Sequence, residues 1–221
     1  MRINQHLASA LGWSRREADR AIEKRAIKVN GKTAKLGQEI DPEKDIIIAF
    51  GKRVALRKKK APTIIALYKP KNYVSTRKDP QGRKTVMSLL PPEFSRLKPA
   101  GRLDYASEGL LLLSDEGTFI NQYTHPRYQK EKEYIVTLQR PITSYLLSRF
   151  QKGVQLREGS ASVNSIEKLG SNEIRVVMHQ GWNRQIRRMA EACGNSATKI
   201  LQTRIGEISL QSLKPGEWRV I

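Results

Sequence analysis

The chain has 221 residues, enough for a small module joined to a medium-sized one. Its 41 Lys and Arg against 21 Asp and Glu give a net charge of +20, and the partner that such a surface attracts most strongly is a polyanion, nucleic acid first. With 38 % hydrophobic residues the chain is no disordered basic arm, its single cysteine (Cys193) excludes an internal disulfide and a cysteine-rich zinc site, and no run approaches the roughly 20 apolar residues of a membrane span.

The excess charge is spread along the chain. Residues 1–62 carry 16 basic and 7 acidic side chains, leaving 25 and 14 for the rest. The N-terminus "MRINQHLASALGW" lacks the long apolar core of a secretory segment, so a reducing cytoplasm is the expected location. Within it Ile3, Leu7 and Leu11 have helical spacing, and Gly12 predicts a stop. Ser14 and Glu17 stand in capping-box spacing and open a second predicted helix, ending near Arg25 or Ala26. "IKVNGKTA" then alternates about Asn30-Gly31, a dipeptide suited to the positive φ angles of a tight hairpin.

Arg15, Arg16, Arg20 and Lys24 fall on the second helix, and Ala18, Ala21 and Ile22 can pack its other face. A solvated cationic face has this pattern; a phosphate-binding face is favoured because Lys28, Lys32 and Lys35 follow at once. "GKRVALRKKKAP" is charged and ends in proline, as a linker does. The expected organisation is a domain over 1–50, a basic linker over 51–62 and a second domain over 63–221.

From Thr63 onward "TIIALYKP", "KEYIVTL", "EIRVVMH" and "EISLQSL" predict short strands, with helices around "TVMSLL", "EGTFINQYT", "ITSYLLSRFQKG" and "NRQIRRMAEACG". This mixture, joined largely by antiparallel turns, indicates an α+β domain. There is no Gly-rich phosphate loop and no G-x-S-x-G elbow, while His6, His125 and His179 are too scattered for a metal site. No metal and no cofactor is expected.

Two segments carry candidate chemistry. In "NRQIRRMAEACG" the stripe Ile186, Met189, Ala190 and Cys193 is core, so Arg184, Arg187 and Arg188 occupy the remaining arc, and one at its rim could reach an acid in a cleft. In "GRLDYASEGLLLLSDEG" a turn delivers Arg102 and Asp104, and the leucine run is a buried strand closed by a turn at 115–117. At the edge of that run Asp104 could be a turn cap, an ion-pair partner or a nucleophile, and the spacing leaves these open.

Two resemblances bear on the choice. Helix, "SRREA" helix and "IKVNG", over about residues 1–48, resemble the S-four-type RNA-binding domain, which implies RNA contact and no chemistry. "LYKPKNYVST", "GRLDYASEGLLLLSDEG", "KEYIVTL" and "QGWNRQIRRMAEACG", in this order, resemble the signature segments of the ribosomal pseudouridine synthases that carry such a domain. That family resemblance implies a small helical and hairpin RNA-binding domain followed by a mixed, mainly antiparallel sheet with flanking helices. It puts the nucleophile at Asp104, the base-stacking tyrosine at Tyr134 and the arginine that pairs with the aspartate at Arg187. By the same resemblance Arg102 fills the gap left by the flipped uridine, and Lys69-Pro70 is a mainly structural motif.

The reaction so implied is cofactor-free: the uridine glycosidic bond is broken and remade at carbon 5 of the same uracil. The partner is ribosomal RNA, of the large subunit ahead of the small, as naked RNA or in an assembly intermediate, with RNA contacts from the basic residues above, including Arg184 and Arg188. A monomer with no membrane attachment is expected. Ser114-Asp115, where relatives commonly have Thr-Asn, and Ala106, at a position often polar, depart from the family pattern and touch a supporting turn.

Overall fold

The computed structural model describes residues 1–54 and 61–221, and the chain forms two compact units, Met1–Ala61 and Pro62–Ile221. In the first, α1 (Ile3–Leu11) ends at Gly12 with φ 75°. Next, α2 (Arg15–Glu23) begins with the reciprocal cap expected from its sequence: the Glu17 amide donates to Ser14 Oγ (3.1 Å) and the Ser14 amide to Glu17 Oε2 (2.6 Å). It closes slightly earlier than predicted because Arg25 turns left-handed, at φ 55°. Strands β1 (Ile27–Val29), β2 (Lys32–Thr33), β3 (Ile47–Ala49) and β4 (Lys52–Arg53) form an antiparallel sheet in the order β2-β1-β3-β4. Ile3, Leu7, Ala18, Ile22, Ile27 and Ile47 bury the helices against it.

The expected boundary at residue 50 is too early. A two-residue turn at Phe50-Gly51 returns the chain, so that Lys52 and Arg53 pair with Ala49 and Ile48, and Val54 donates its amide to Ile47 (2.8 Å) and packs on the core. Residues 51–54 thus complete this sheet, and 55–60 of the expected linker lie outside the described residues.

The second unit contains, in chain order, β5 (Ile64–Lys69), β6 (Lys98–Ala100), β7 (Glu108–Ser114), α3 (Gly117–Thr124), β8 (Lys132–Leu138), α4 (Ser144–Lys152), β9 (Val154–Leu156), β10 (Gly159–Ala161), β11 (Ser165–Lys168), β12 (Glu173–Met178), α5 (Gln185–Ala192), β13 (Ala197–Ile205), β14 (Ile208–Ser209) and β15 (Trp218–Val220). The large sheet runs β11-β12-β8-β13-β7-β5-β15, with β14 on β13 and β6 on β7, while β9 and β10 form a separate hairpin. Every pairing is antiparallel except β13 with β7. This is the mixed, mainly antiparallel α+β domain that the sequence led us to expect.

The leucine run of β7 is continuous because both faces are covered. Leu110 and Leu112 face Tyr123 of α3 and Ala66, whereas Leu111 and Leu113 face Ile65, Leu67, Val86 and Leu97. Further along, Leu146 and Phe150 of α4 and Ile186 and Met189 of α5 cover Val136, Ile174 and Val176. The segment "TVMSLL" forms only a 3-10 turn, Val86–Leu89, and "EISLQSL" keeps just two strand residues. The nine-residue β13 escaped prediction because register shifts at Ala197/Lys199 and Gln202/Arg204 break its alternation.

At the parallel contact between β7 and β13 the backbones approach too closely for a side chain. Gly109 has φ 111°, and a Cβ there would stand 2.3 Å from the Gln202 carbonyl oxygen. Gly109→Ala is expected to cost about 3 kcal/mol or more in a denaturant titration, since it combines backbone strain with a clash against main chain that cannot swing aside. A change within about 0.5 kcal/mol would refute this account.

Candidate active site

Asp104 lies in the loop between β6 and β7 and lines a cleft of about 80 Å³ together with Arg102, Tyr134, Gln180, Arg184 and Gln185. Five consecutive carbonyls of this loop each accept a hydrogen bond. Leu103 accepts from Ser75 Oγ (2.9 Å), Asp104 from Lys69 Nζ (3.1 Å) and the Ser107 amide (3.0 Å), and Tyr105 from the Asn72 amide (2.8 Å). Ala106 accepts from Arg187 Nη2 (3.0 Å) and Ser107 from Lys69 Nζ (2.6 Å). Apart from the Ser107 amide, which lies in the loop itself, the donors come from the end of β5, the segment that follows it, and α5. They hold the loop by its backbone and leave the Asp104 carboxylate facing the cleft.

Lys69 is fully buried at the end of β5, its third hydrogen bond going to the Pro70 carbonyl (3.0 Å). Burial pushes its pKa down to about 8, while the nearby charges of Asp104 and Glu108 act in the opposite direction. A cation surrounded by three carbonyls and two acids is a device for fixing main chain. Sequence reasoning assigned Lys69 a structural role without finding its target; the available signal was a lysine closing an otherwise apolar strand immediately before proline.

Arg187 corrects one expectation. It is buried, but its guanidinium donates to the carbonyls of Ala106 and Ala197, and no salt bridge joins it to Asp104. Burial, then the charge of Arg184, lowers its pKa, and the charge of Asp104 raises it, so the two groups interact through space. Arg187 therefore positions the loop that bears Asp104 and adds a positive charge nearby. Tyr134, half-buried on β8, stands beside Asp104 in the cleft; burial and then the charge of Asp104 hold its hydroxyl protonated, well above the usual tyrosine range.

Arg102 and Arg184 are exposed at the cleft. Arg188 is not: it forms a two-pronged pair with Glu158 (2.7 and 3.2 Å), which removes it from the set of uncommitted cations expected to meet RNA. Glu108 is largely buried, accepting from Tyr68 Oη (3.2 Å) with Lys71 and Lys199 within 4 Å. In the first unit Arg15, Arg16, Arg20, Lys24, Lys28 and Lys32 are all exposed, and none forms a salt bridge among the described residues. A second groove, of about 210 Å³ at Gln139, Arg140 and Asn195, holds none of these groups.

Known proteins share both units. Residues 63–192 match the model of the RNA pseudouridylate synthase family, and residues 1–47 match the S4 domain. An uncharacterized RNA pseudouridine synthase of Aquifex aeolicus is 35 % identical, the match covering 99 % of this chain and 89 % of that one. The dual-specificity RNA pseudouridine synthase RluF of Escherichia coli strain K12 is also 35 % identical, over 99 % of this chain and 74 % of its own length. A crystal structure of a pseudouridylate synthase superposes with a TM-score of 0.72 at 28 % identity, covering 100 % of this chain and 96 % of that one. With an aspartate held by its loop backbone beside a tyrosine in a basic cleft, and with relatives that match over nearly its whole length, the chain belongs to the RNA pseudouridine synthase family of isomerases.

Proposed function

We propose that the protein converts uridine to pseudouridine in ribosomal RNA, of the large subunit ahead of the small, with Asp104 as nucleophile. The clamped loop that presents Asp104 beside Tyr134 carries this reading, because a nucleophile is most effective when its position is fixed before substrate arrives. The N1–C1′ bond of the nucleotide breaks, the uracil turns, and a C5–C1′ bond forms. The C5 proton is lost and N1 gains one, so atoms balance with no external reagent. If Asp104 bonds to the ribose, that bond breaks as the C5–C1′ bond forms, so the carboxylate is free and charged again when C5 loses its proton.

A base within a helix must leave its stack, at a cost of a few kcal/mol offset by stacking on Tyr134 and by phosphate contacts. Arg102, exposed at the cleft, would fill the vacated position. We assign the exposed cations of the first unit to phosphate binding by a monomeric enzyme working in the cytoplasm. No helix among the described residues is long and apolar enough to cross a membrane.

The test is release of tritium from transcripts labelled at carbon 5 of uracil, with large- and small-subunit RNA in separate arms. Release from either RNA supports the isomerase, and a faster large-subunit arm supports the preference; no release from any transcript or partly assembled subunit would overturn the assignment. Replacing Arg15, Arg16 and Arg20 together by alanine should weaken RNA binding and reduce the slope of log affinity against log salt by about 2, with turnover at saturating RNA unchanged. An unaltered slope would remove these residues from the interface.

A further inference from the structure

The first unit contains two hairpins with the same turn and different residues in it. Asn30-Gly31 joins β1 to β2 with φ angles of 50° and 80°, and Phe50-Gly51 joins β3 to β4 with 50° and 76°. Positive φ at both central positions defines the turn type that favours Asn-Gly, because asparagine tolerates the left-handed region and a bulky aromatic side chain does not. Asn30 also uses its side chain locally, bonding Asp45 and the Ile46 amide. Phe50 contributes nothing comparable to folding: its ring is 64 % exposed, at the tip of the turn, in a strained backbone conformation. Strain kept at an exposed aromatic residue points to use of that side chain outside the fold.

Its neighbour indicates the use. The Phe50 ring meets the half-buried Trp13 edge-to-face, with centroids 6.0 Å apart and planes at 78°. That contact brings together two basic segments: Arg15 and Arg16, which follow Trp13 at the start of α2, and Lys52 and Arg53, which follow Phe50 on β4. All four cations are exposed and none is in a salt bridge among the described residues. An aromatic face flanked by uncommitted cations has the chemistry that holds an unpaired nucleotide, the base stacking on the ring and the phosphates meeting the cations. The residues matching the S4 domain end at 47, before Phe50 and its turn.

We propose that Phe50, supported by Trp13, is a stacking platform for one unpaired base of the RNA, a contact separate from the cleft that holds Asp104. This rests on RNA being the substrate, as proposed above. Stacking by a single aromatic residue changes affinity by about tenfold. The experiment uses the full chain and two RNA probes, a hairpin with an unpaired loop and a blunt duplex of equal length, with wild type, Phe50→Asn and Phe50→Trp.

Phe50→Asn places the preferred residue in the turn, so its melting temperature should equal or exceed that of wild type while its affinity for the looped RNA falls about tenfold. Its affinity for the duplex should be unchanged, and Phe50→Trp should bind the looped RNA as wild type does. Equal binding of the looped RNA by wild type and Phe50→Asn, equal losses on both probes, or a melting temperature of Phe50→Asn well below wild type would each overturn the platform. Tritium release, measured on the same preparations at saturating RNA, separates the two proposals. Release without the binding difference sinks only the platform, and the binding difference without release sinks only the isomerase assignment.

Discussion

Asp104→Asn is expected to abolish tritium release, by about 10⁴-fold or more, while RNA affinity stays within twofold of wild type. The amide has nearly the shape of the carboxylate and lacks its nucleophilicity. Binding should survive because the loop is held through the carbonyls of Leu103 to Ser107, none of which belongs to the Asp104 side chain. The variant also distinguishes the isomerase from a non-catalytic RNA-binding or assembly factor in which Asp104 is a structural residue. Full release by Asp104→Asn would eliminate Asp104 as nucleophile; loss of RNA affinity in parallel with activity would show that its role is structural.

Lys69→Met should lower both stability and activity, since a side chain of similar length replaces the ammonium and leaves three carbonyls without a donor they now share. Removing one partner of a buried polar cluster costs roughly 3 kcal/mol, and an Asp104 loop freed from β5 should lose turnover by about 100-fold or more. A pH signature separates this from general damage to the core. The folded-state pKa of Lys69 is lowered to about 8 from 10.5, so between these values the unfolded chain binds more protons and the contribution of Lys69 to stability grows as pH rises. Below about pH 8 the cost of holding the buried cation is fully present. The stability gap between wild type and Lys69→Met should therefore widen from about pH 8 towards 10.5. A gap independent of pH would show that Lys69 does not titrate as a buried cation.

Much of the local structure is legible in the residues themselves. The capping box at Ser14 and Glu17, the Asn30-Gly31 turn, the leucine run of β7 and the apolar stripe of α5 depend on neighbours within a few positions. Their spacing therefore records the outcome. The order of the four signature segments also identified the family, and Asp104 and Tyr134, named from that order, do line one cleft.

Only the tertiary structure decided what holds the site. Lys69 reaches the Asp104 carbonyl across 35 residues of chain and Arg187 reaches that of Ala106 across 81, and the targets are backbone groups, which every residue possesses and which leave no mark in a sequence. For the same reason Arg187 looked like the partner of a carboxylate when it serves two carbonyls; Arg188 looked uncommitted because Glu158, whose carboxylate binds it, lies 30 residues away in the chain. The partners of the largely buried Glu108 likewise come from distant strands, Tyr68 of β5 and Lys199 of β13. Composition and periodicity determined which segments fold and which face is apolar. Which buried polar groups meet was settled when distant segments packed together, because each carbonyl removed from water needs a donor, and for the Asp104 loop most donors come from segments distant in sequence.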